Sequence, residues 1–170
     1  MDLFFKYLKQ KKYNKKEFLL EQDSICNFKC FIITGLVRAF VIDEKGKENI
    51  IHFGIENWWV SNMESFILEK PSHLFIQALE DTTVLLITKE NLELAYVNIP
   101  KLERVFRIIT ENMLIAIERK NEYYIKMGSK ERYTSFISEL KTFSQRVPQY
   151  MIASYLQITP EYLSELRKNK

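Results

Sequence analysis

The polar side chains best placed for chemistry lie near the C-terminus, between residues 159 and 168. Thr159-Pro160 is typical of a helix start, because a threonine hydroxyl accepts hydrogen bonds from free amides and a proline at the first position has no amide to lose. A helix beginning there presents one polar face, made by Thr159, Glu161, Tyr162, Ser164, Glu165, Arg167 and Lys168. Cations, carboxylates and hydroxyls in that arrangement can contact phosphates and base edges in a major groove.

A shorter helix is predicted immediately before it, opened by Pro148 and followed by a turn around Gln157 and Ile158. Small Ala153 falls where two crossing helices approach closely. The core between the helices is then filled by four apolar residues, Leu156, Ile158, Leu163 and Leu166. This spacing predicts a helix-turn-helix over residues 146–170, and the alternative is an ordinary helical hairpin.

The charge distribution favours a polyanion as the partner of this last segment. The net charge of +3 hides an asymmetry, because residues 1–127 carry 18 Lys and Arg against 18 Asp and Glu, whereas residues 128–170 carry 7 against 4. A basic segment attached to a neutral one suits DNA. A solvated basic surface without a partner has the same composition, so charge alone does not decide.

Enzymatic chemistry is not favoured by the remaining reactive side chains. His52 and His73 lack the spacing of a metal-ligand pair, and the chain has only four glycines and no phosphate-binding loop motif. Cys26 and Cys30 are spaced C-x3-C with no further cysteine to complete a four-ligand cluster, which predicts a structural thiol pair. The sequence therefore predicts no catalytic residue and no metal site.

Short strands come first along the chain and helices afterwards, which predicts an α+β fold. The predicted strands are rich in β-branched or aromatic residues and cover 18–20, 30–33, 36–42, 50–53, 74–79 and 83–87. Gly35 and the stretch D-E-K-G-K-E at residues 43–48 supply turns between them. Strands of this length and spacing predict a small barrel or jelly roll.

Thr88 can cap a helix over residues 91–98, and Ser129 can cap a later helix that runs to Phe143. Between them a long helix is predicted from Lys101 to Met127, since Pro100 can open it and no Gly or Pro interrupts it. A seven-residue apolar pattern follows this helix, broken at Lys120: Leu102, Phe106, Ile109, Met113, Ala116, Tyr123 and Met127. Val105, Ile108 and Ile115 widen the stripe. One face is expected to lie on the barrel and the other on a second copy, as in a short parallel coiled coil. The alternative is one broad face buried in the chain's own core.

The predicted dimer contacts are Leu102, Phe106, Ile109, Met113 and Ala116. The two-fold symmetry of such a dimer predicts a palindromic DNA site with half-sites about one helical turn apart. In each copy Arg167, Lys168 and Lys141 are predicted to contact phosphates. Glu161, Tyr162 and Glu165 are predicted to face base edges.

Four fragments stand in collinear order: G-L-V-R-A-F-V-I-D-E-K-G-K-E, L-E-D-T-T-V-L-L-I, I-P-K-L-E-R and V-P-Q-Y-M-I-A-S-Y-L-Q-I-T-P-E-Y-L-S-E-L-R-K. Their content and order resemble the Crp/Fnr superfamily of bacterial transcription regulators. The resemblance implies a cyclic-nucleotide-binding-like β-roll sensor at residues 1–99, a dimerisation helix at 100–127 and a helix-turn-helix DNA-binding domain at 128–170. It also implies double-stranded DNA, a second copy of the chain and RNA polymerase as candidate partners.

The effector pocket departs from the pattern of that superfamily. Its cyclic-nucleotide binders carry a Gly-Glu pair at the ribose and an Arg-Ser or Arg-Thr pair at the cyclic phosphate, where this chain has Ser61-Asn62 and Ser72-His73. Serine and neutral histidine are poor substitutes for a bidentate guanidinium, and nearby Glu64 repels an anion. The residues of this degenerate pocket are Ser61, Asn62, Met63, Ser72, His73 and Ile117. Cyclic AMP is therefore an unfavourable ligand, and the effector is another small molecule or none.

Two classes of function remain after these exclusions. One is a sequence-specific, homodimeric transcription regulator, and the other is a dimeric ligand-binding or interaction module of the same fold without specific DNA binding. No apolar run reaches the roughly 18 residues of a membrane span, and residues 1–10 do not resemble a cleavable signal. A cytoplasmic location is the default expectation.

Overall fold

The computed structural model describes residues 2–139 and 141–168, and the predicted order of strands before helices holds except for two short helices, α1 before the first strand and α2 between two strands. The strands are β1 (Lys9–Tyr13), β2 (Phe18–Leu20), β3 (Phe28–Thr34), β4 (Val37–Ile42), β5 (Glu48–Gly54), β6 (Trp59–Val60), β7 (Phe75–Ala78) and β8 (Thr82–Thr88). The helices are α1 (Asp2–Phe5), α2 (Met63–Leu68), α3 (Lys89–Asn98), α4 (Lys101–Lys126), α5 (Ser129–Glu139), α6 (Lys141–Ser144), α7 (Gln149–Leu156) and α8 (Pro160–Lys168). The α+β class is confirmed.

The strands form two four-stranded antiparallel sheets, ordered β1-β8-β3-β6 and β2-β7-β4-β5. Six of them lie where the sequence predicts strands, and β1 and β6 are additional. Strand β1 reads K-Q-K-K-Y and has a single buried residue, Tyr13, so it shows none of the apolar alternation by which a strand is recognised. Pairing with β8, rather than its own composition, makes this segment a strand.

The core of this β-roll combines inward-facing residues from both sheets. Cys30 and Ile32 of β3 are fully buried in one cluster with Ile76 and Ala78 of β7. Gly35 lies in the turn between β3 and β4 with a φ of 106°, and a Cβ there would come 2.4 Å from the Thr82 hydroxyl oxygen. Only glycine fits this crossing between the two sheets without rearrangement.

The start of the helical segment follows the sequence closely. Thr88 caps α3, because its hydroxyl accepts the Asn91 amide at 3.2 Å, as predicted. Helix α4 begins directly after Pro100 and ends at Lys126, one residue before the predicted end. The long helix is therefore confirmed as an element.

The predicted cap of the next helix at Ser129 is wrong. Ser129 is the first residue of α5, and the carbonyl of Gly128 accepts the Arg132 amide at 3.0 Å, which gives Gly128 the cap position. The Glu131 carboxylate accepts the Gly128 amide at 2.8 Å and so satisfies the helix end. The sequence predicts one helix from here to Phe143, and the structure has α5 and α6 over this segment. Residue 140 lies outside the described residues.

The chain divides into two compact units, residues 1–102 and 103–170. The first contains the β-roll with α1–α3, and the second contains nearly all of α4 together with α5–α8. The three-part division at 1–99, 100–127 and 128–170 stays a prediction. No helix in the described ranges has both the length and the apolarity that crossing a membrane requires.

Candidate nucleic-acid interface and effector pocket

Helices α7 and α8 are joined by a tight turn centred on Gln157. Gln157 adopts a left-handed conformation with a φ of 55°. Its amide donates to the Ser154 carbonyl at 3.1 Å, and the Ile158 amide donates to the Ala153 carbonyl at 3.0 Å. These two bonds form a Schellman motif, which ends α7 with its last carbonyls satisfied. The predicted turn at Gln157 and Ile158 is confirmed.

Thr159 caps α8, as the sequence predicts. Its hydroxyl accepts the Tyr162 amide at 3.2 Å, and its carbonyl accepts the Leu163 amide at 3.0 Å. Pro160 is the first helical residue and has no amide that would need a partner. The start of α8 is therefore fixed two residues after the end of the Schellman turn.

The predicted core of this hairpin is present. Ala153, Leu156 and Leu163 are almost completely buried, Leu166 is buried, and Ile158 is half-buried. Full burial of Ala153 matches its predicted place at the close approach of the two helices. Helix α5 packs against both α7 and α8, and Phe136 lies 6.0 Å from Phe143 and 5.7 Å from Tyr155 between ring centres. Helices α5, α7 and α8 therefore pack against one another, and α5 and α7 support α8.

The outward face of α8 carries all seven side chains predicted to contact DNA. Every one is exposed: Thr159, Glu161, Tyr162, Ser164, Glu165, Arg167 and Lys168. The basic pair lies in the last turn of the helix, whereas Glu161 lies in the first, an arrangement that suits the helix dipole at both ends. The side chain of Lys141, the third predicted phosphate contact, lies outside the described residues.

A cluster of cations and tyrosines, which the sequence does not predict, connects α4 to α5 and α7. Lys120 lies over the Tyr155 ring at 4.2 Å and over the Tyr124 ring at 5.7 Å, and Arg132 lies over the Tyr124 ring at 4.9 Å. The Tyr124 hydroxyl donates to the Tyr155 carbonyl. Burial lowers the pKa of Lys120 to about 8. Lys120 is the residue that interrupts the apolar pattern of α4, and that interruption is the only sequence signal for the cluster.

Most apolar side chains of α4 are exposed, and together they form a broad exposed stripe. Met113 and Ala116 are exposed and Leu102 and Ile109 are half-buried, whereas Phe106 is buried in the single chain and has little surface left for a partner. Other large apolar side chains are also exposed on this helix: Val105, Ile108, Leu114, Ile115, Ile117, Tyr123 and Ile125. The exposed stripe is thus broader than the predicted dimer contacts and does not include Phe106.

Asn62 and Ser72 meet in the β-roll and satisfy each other's polar groups. The Asn62 Nδ2 donates to the Ser72 Oγ at 2.8 Å, while the Asn62 Oδ1 accepts the Ser65 amide at 3.2 Å and so caps α2. The Ser72 Oγ donates to the Leu74 carbonyl at 2.8 Å and accepts the Leu74 amide at 3.2 Å. Both residues are buried. Their polar atoms are bound within the protein rather than presented to a ligand.

The other predicted pocket residues have different surroundings. The His73 Nδ1 lies 3.5 Å from the Glu64 Oε2, and both side chains are exposed. The Ser61 hydroxyl donates to the Phe28 carbonyl at 3.0 Å, and Met63 is half-buried as the first residue of α2. Ile117 belongs to the second compact unit and is exposed. The structure brings Asn62 and Ser72 together, and it places the Glu64 carboxylate beside His73, the residue that follows Ser72.

The two cysteines are reduced and buried, each held to a main-chain carbonyl. The Cys26 thiol donates to the Phe28 carbonyl and the Cys30 thiol to the Val60 carbonyl, both at 3.3 Å. Burial raises the pKa of the Cys30 thiol to about 12, which keeps it protonated and unreactive at neutral pH. Within the described ranges, no three His, Cys, Asp or Glu residues are grouped so that they could hold a metal ion.

A family model described as the cyclic nucleotide-binding domain matches residues 10–96, half of the chain. The chain belongs to the cyclic nucleotide-binding domain family. The matched stretch runs from β1 into α3, so family membership rests on the β-roll and not on the helical unit. The bonded pair Asn62 and Ser72, which the sequence predicts at pocket positions, lies within the matched stretch.

Solved structures extend the likeness over nearly the whole chain. FixK2 from Bradyrhizobium japonicum is 22% identical, with a TM-score of 0.81 over 95% of this chain and 83% of that one. CLP from Xanthomonas campestris, a c-di-GMP responsive global regulator, is 14% identical, with a TM-score of 0.79 over 99% and 88%. The catabolite activator protein of Thermus thermophilus is 17% identical, with a TM-score of 0.63 over 99% and 80%.

These structures confirm the predicted Crp/Fnr fold, with a cyclic nucleotide-binding domain followed by C-terminal helices. No curated protein matches the chain by sequence. Because these sequence identities are below one quarter, the likeness establishes the fold alone. The partners of this chain have to be argued from its own residues.

Proposed function

We propose that this protein is a sequence-specific, DNA-binding transcription regulator that acts as a homodimer, with α8 as its recognition helix. The observation that carries the proposal is the exposed polar face of α8 on a rigid support. A Schellman turn and a threonine cap fix the start of the helix, and the helix buries only Leu163 and Leu166. Rigid presentation of hydrogen-bonding groups by one helix is what major-groove recognition requires.

The two ends of α8 have different roles in this proposal. Arg167 and Lys168 position the protein on phosphates, and Glu161, Tyr162 and Glu165 read base edges. A carboxylate can accept from the amino group of cytosine but is repelled by phosphate. Glu165 therefore implies a C·G pair at one position of each half-site.

Dimerisation in this proposal uses the exposed stripe of α4. A stripe of large apolar side chains along an amphipathic helix is costly to leave in water, and parallel pairing of two α4 helices would cover it. Sedimentation should report a dimer at micromolar concentration. A concentration-independent monomer, or an unchanged dimer after Ile109→Asp with Met113→Asp, would contradict this part of the proposal.

The β-roll is proposed not to bind cyclic nucleotides and to take another small-molecule effector or none. Ser72 stands where a guanidinium would clamp the cyclic phosphate, and its hydroxyl is already engaged by Asn62 and Leu74. The Glu64 carboxylate beside His73 adds a negative charge at the same place. Calorimetry with cyclic AMP and cyclic GMP should detect no binding in the micromolar range, and micromolar affinity for either would overturn this reading.

Selection of bound duplexes from a random pool tests DNA recognition directly. The wild-type protein should enrich a palindrome, and Glu165→Ala should enrich a different motif, with a lost base contact worth roughly 1–3 kcal/mol of discrimination. Glu44→Ala, an exposed acidic residue in the turn between β4 and β5, is the matched control and should enrich the wild-type motif. Failure to enrich any motif, or identical motifs from wild type and Glu165→Ala, would mean that α8 does not read DNA in this way.

A second candidate function is a dimeric ligand-binding or interaction module without specific DNA binding. The observation that favours it is the pair of carboxylates, Glu161 and Glu165, on the face that would approach a polyanion. Such a module would bind mixed-sequence DNA and the best selected duplex equally weakly. A preference of at least about a thousandfold for one duplex, typical of specific regulators, would exclude it.

A further inference from the structure

Residues 6–16 form a basic segment on the β-roll that the proposed DNA-binding function does not use. Six lysines fall within these eleven residues, and no acidic residue occurs between Leu3 and Lys16. The part of the unit that follows, residues 17–102, has the opposite balance, with 7 Lys and Arg against 13 Asp and Glu. The lysines are Lys6, Lys9, Lys11, Lys12, Lys15 and Lys16, and all are exposed.

None of these six ammonium groups takes part in a described ion pair. Two acidic side chains next to the segment are engaged by its main-chain amides instead. Asp81 accepts the Lys15 amide at 2.9 Å, and Glu17 accepts the Asn14 amide at 2.9 Å. The positive charge of the segment is therefore left for a partner outside the chain.

Strand β1 is also the edge of its sheet, where it pairs with β8 along its whole length. On such an edge, every second main-chain amide and carbonyl points away from the sheet. Lysines on a sheet edge disfavour the addition of another strand, because pairing would desolvate their charges and a basic strand would also be repelled. An acidic strand reverses that effect, because the same lysines then attract it.

The lysines also lie on both faces of β1. This arrangement favours an added protein strand over a DNA duplex as the partner. Lys9 and Lys11 share the face of buried Tyr13, with the Lys11 Nζ 4.4 Å from the Tyr13 ring centre, and Lys12 lies on the opposite face. A DNA duplex would approach one face and leave charges unused on the other. A strand added at the edge places its alternate side chains beside lysines on both faces.

We propose that β1 is a docking edge for an extended, acidic segment of a partner protein, which adds as a further strand to the β1-β8-β3-β6 sheet. Main-chain hydrogen bonds would hold the segment, and the lysines would select carboxylates along it. This proposal is independent of the DNA-binding function, because it involves no residue of α4 or α8.

The test uses the full chain and a labelled ten-residue peptide that alternates Glu and Thr. Fluorescence anisotropy should show binding, and Lys9→Gln/Lys11→Gln/Lys12→Gln should weaken it about tenfold, as expected for three opposite-charge pairs. The matched control is Lys45→Gln/Lys47→Gln/Lys70→Gln, which removes three exposed lysines elsewhere on the unit and should leave the affinity unchanged.

An N-methylated form of the peptide, with alternate amides blocked, separates strand addition from simple charge attraction. It should bind at least about tenfold more weakly to the wild-type protein, and this comparison does not depend on the folding of any variant. Equal binding of the two peptides would overturn the proposal, as would no binding of either.

Three other probes test other occupants of the same edge. A 24-base-pair mixed-sequence duplex and vesicles of phosphatidylserine and phosphatidylcholine test nucleic acid and membrane, and sedimentation tests a second copy. If the β1 lysines control one of these interactions and not peptide binding, the proposal is overturned. If they control peptide binding alone, it is supported.

Discussion

The Asn62–Ser72 site and the outer face of α8 are both dense in polar side chains, but they use these groups in opposite ways. At the first site the Asn62 side chain caps α2 and also bonds to Ser72, so both of its ends are occupied. On α8 the cap residue Thr159 fixes the helix start, and six exposed polar side chains follow it. A saturated, buried polar network contributes to folding, whereas exposed polar groups on a rigid backbone remain available for recognition.

The comparison also shows that a local motif does not reveal function by itself. Both sites begin with a residue whose side chain caps a helix, at Asn62 for α2 and at Thr159 for α8. The two sites differ in burial, because the Asn62 network is closed to solvent whereas the outer face of α8 is exposed to solvent. Substitutions at the first site should therefore change the free energy of unfolding, and substitutions at the second should change DNA affinity.

The largest effect is expected from Ser72→Arg, which introduces the residue type that the resemblance predicts at this position in cyclic-nucleotide binders. Ser72 is buried within the Asn62 and Leu74 bonds, so an arginine has neither space nor a counter-charge there. We expect a loss of about 3 kcal/mol or more in the free energy of unfolding, measured by urea denaturation.

His73→Arg is the control for that experiment, because His73 is exposed and should tolerate arginine to within about 0.5 kcal/mol. A Ser72→Arg protein that is as stable as wild type and gains micromolar affinity for cyclic AMP would show that the pocket is open rather than filled.

A smaller effect is expected from Asn62→Ala. The substitution removes the α2 cap and one buried hydrogen bond to Ser72, which together should cost about 2 kcal/mol. Asn98→Ala removes an exposed amide that donates to the Leu94 carbonyl, and should cost less than about 0.5 kcal/mol. Equal losses from the two variants would mean that the Asn62 network contributes nothing beyond an ordinary surface bond.

Arg167→Ala tests the other side of the comparison. Arg167 is exposed, so the free energy of unfolding should change by less than about 0.5 kcal/mol. Loss of one phosphate contact should lower the slope of log affinity against log salt by about one unit. Lys45→Ala removes an equal charge from the β4–β5 turn and should leave the slope unchanged; a similar slope change in both variants would indicate net charge rather than contact.

Among the three sites where stability should change, the smallest effect is expected at Lys120, whose ammonium group is partly buried against Tyr155 and Tyr124. Its pKa in the folded chain is about 8, below the value of about 10.4 for an unfolded lysine. The unfolded chain therefore binds more protons between these values, and stability should rise with pH from 8 to 9.5.

Solvent screening reduces the Lys120 contribution to about 1 kcal/mol over this range. Urea denaturation of wild type and Lys120→Met at pH 7, 8, 9 and 9.5 measures it, and Lys130→Met serves as the exposed control. The rise should disappear in Lys120→Met alone. An identical pH dependence in all three proteins would place the titrating group elsewhere.

Local sequence signals predicted much of the fold. Thr88 and Thr159 cap their helices as expected, Gln157 forms the turn, and Leu156 and Leu163 are buried between α7 and α8. These features depend on residues within a few positions of one another, so their geometry follows from hydrogen-bonding capacity and helical periodicity. The cap at Ser129 was mispredicted because Gly128 and Glu131 satisfy the same helix end in another way.

By itself, the sequence determined the order of elements, most strand positions, both helices of the C-terminal hairpin and the polar face of α8. Only the tertiary structure decided that K-Q-K-K-Y is a strand, that Phe106 is buried, that Asn62 bonds Ser72 across ten residues, and that Lys120 lies against Tyr155. The physical reason is how far apart along the chain the interacting residues lie. Periodicity and capping act within a few residues, whereas pairing with β8 and the burial of polar and charged groups depend on partners brought together only when distant segments pack.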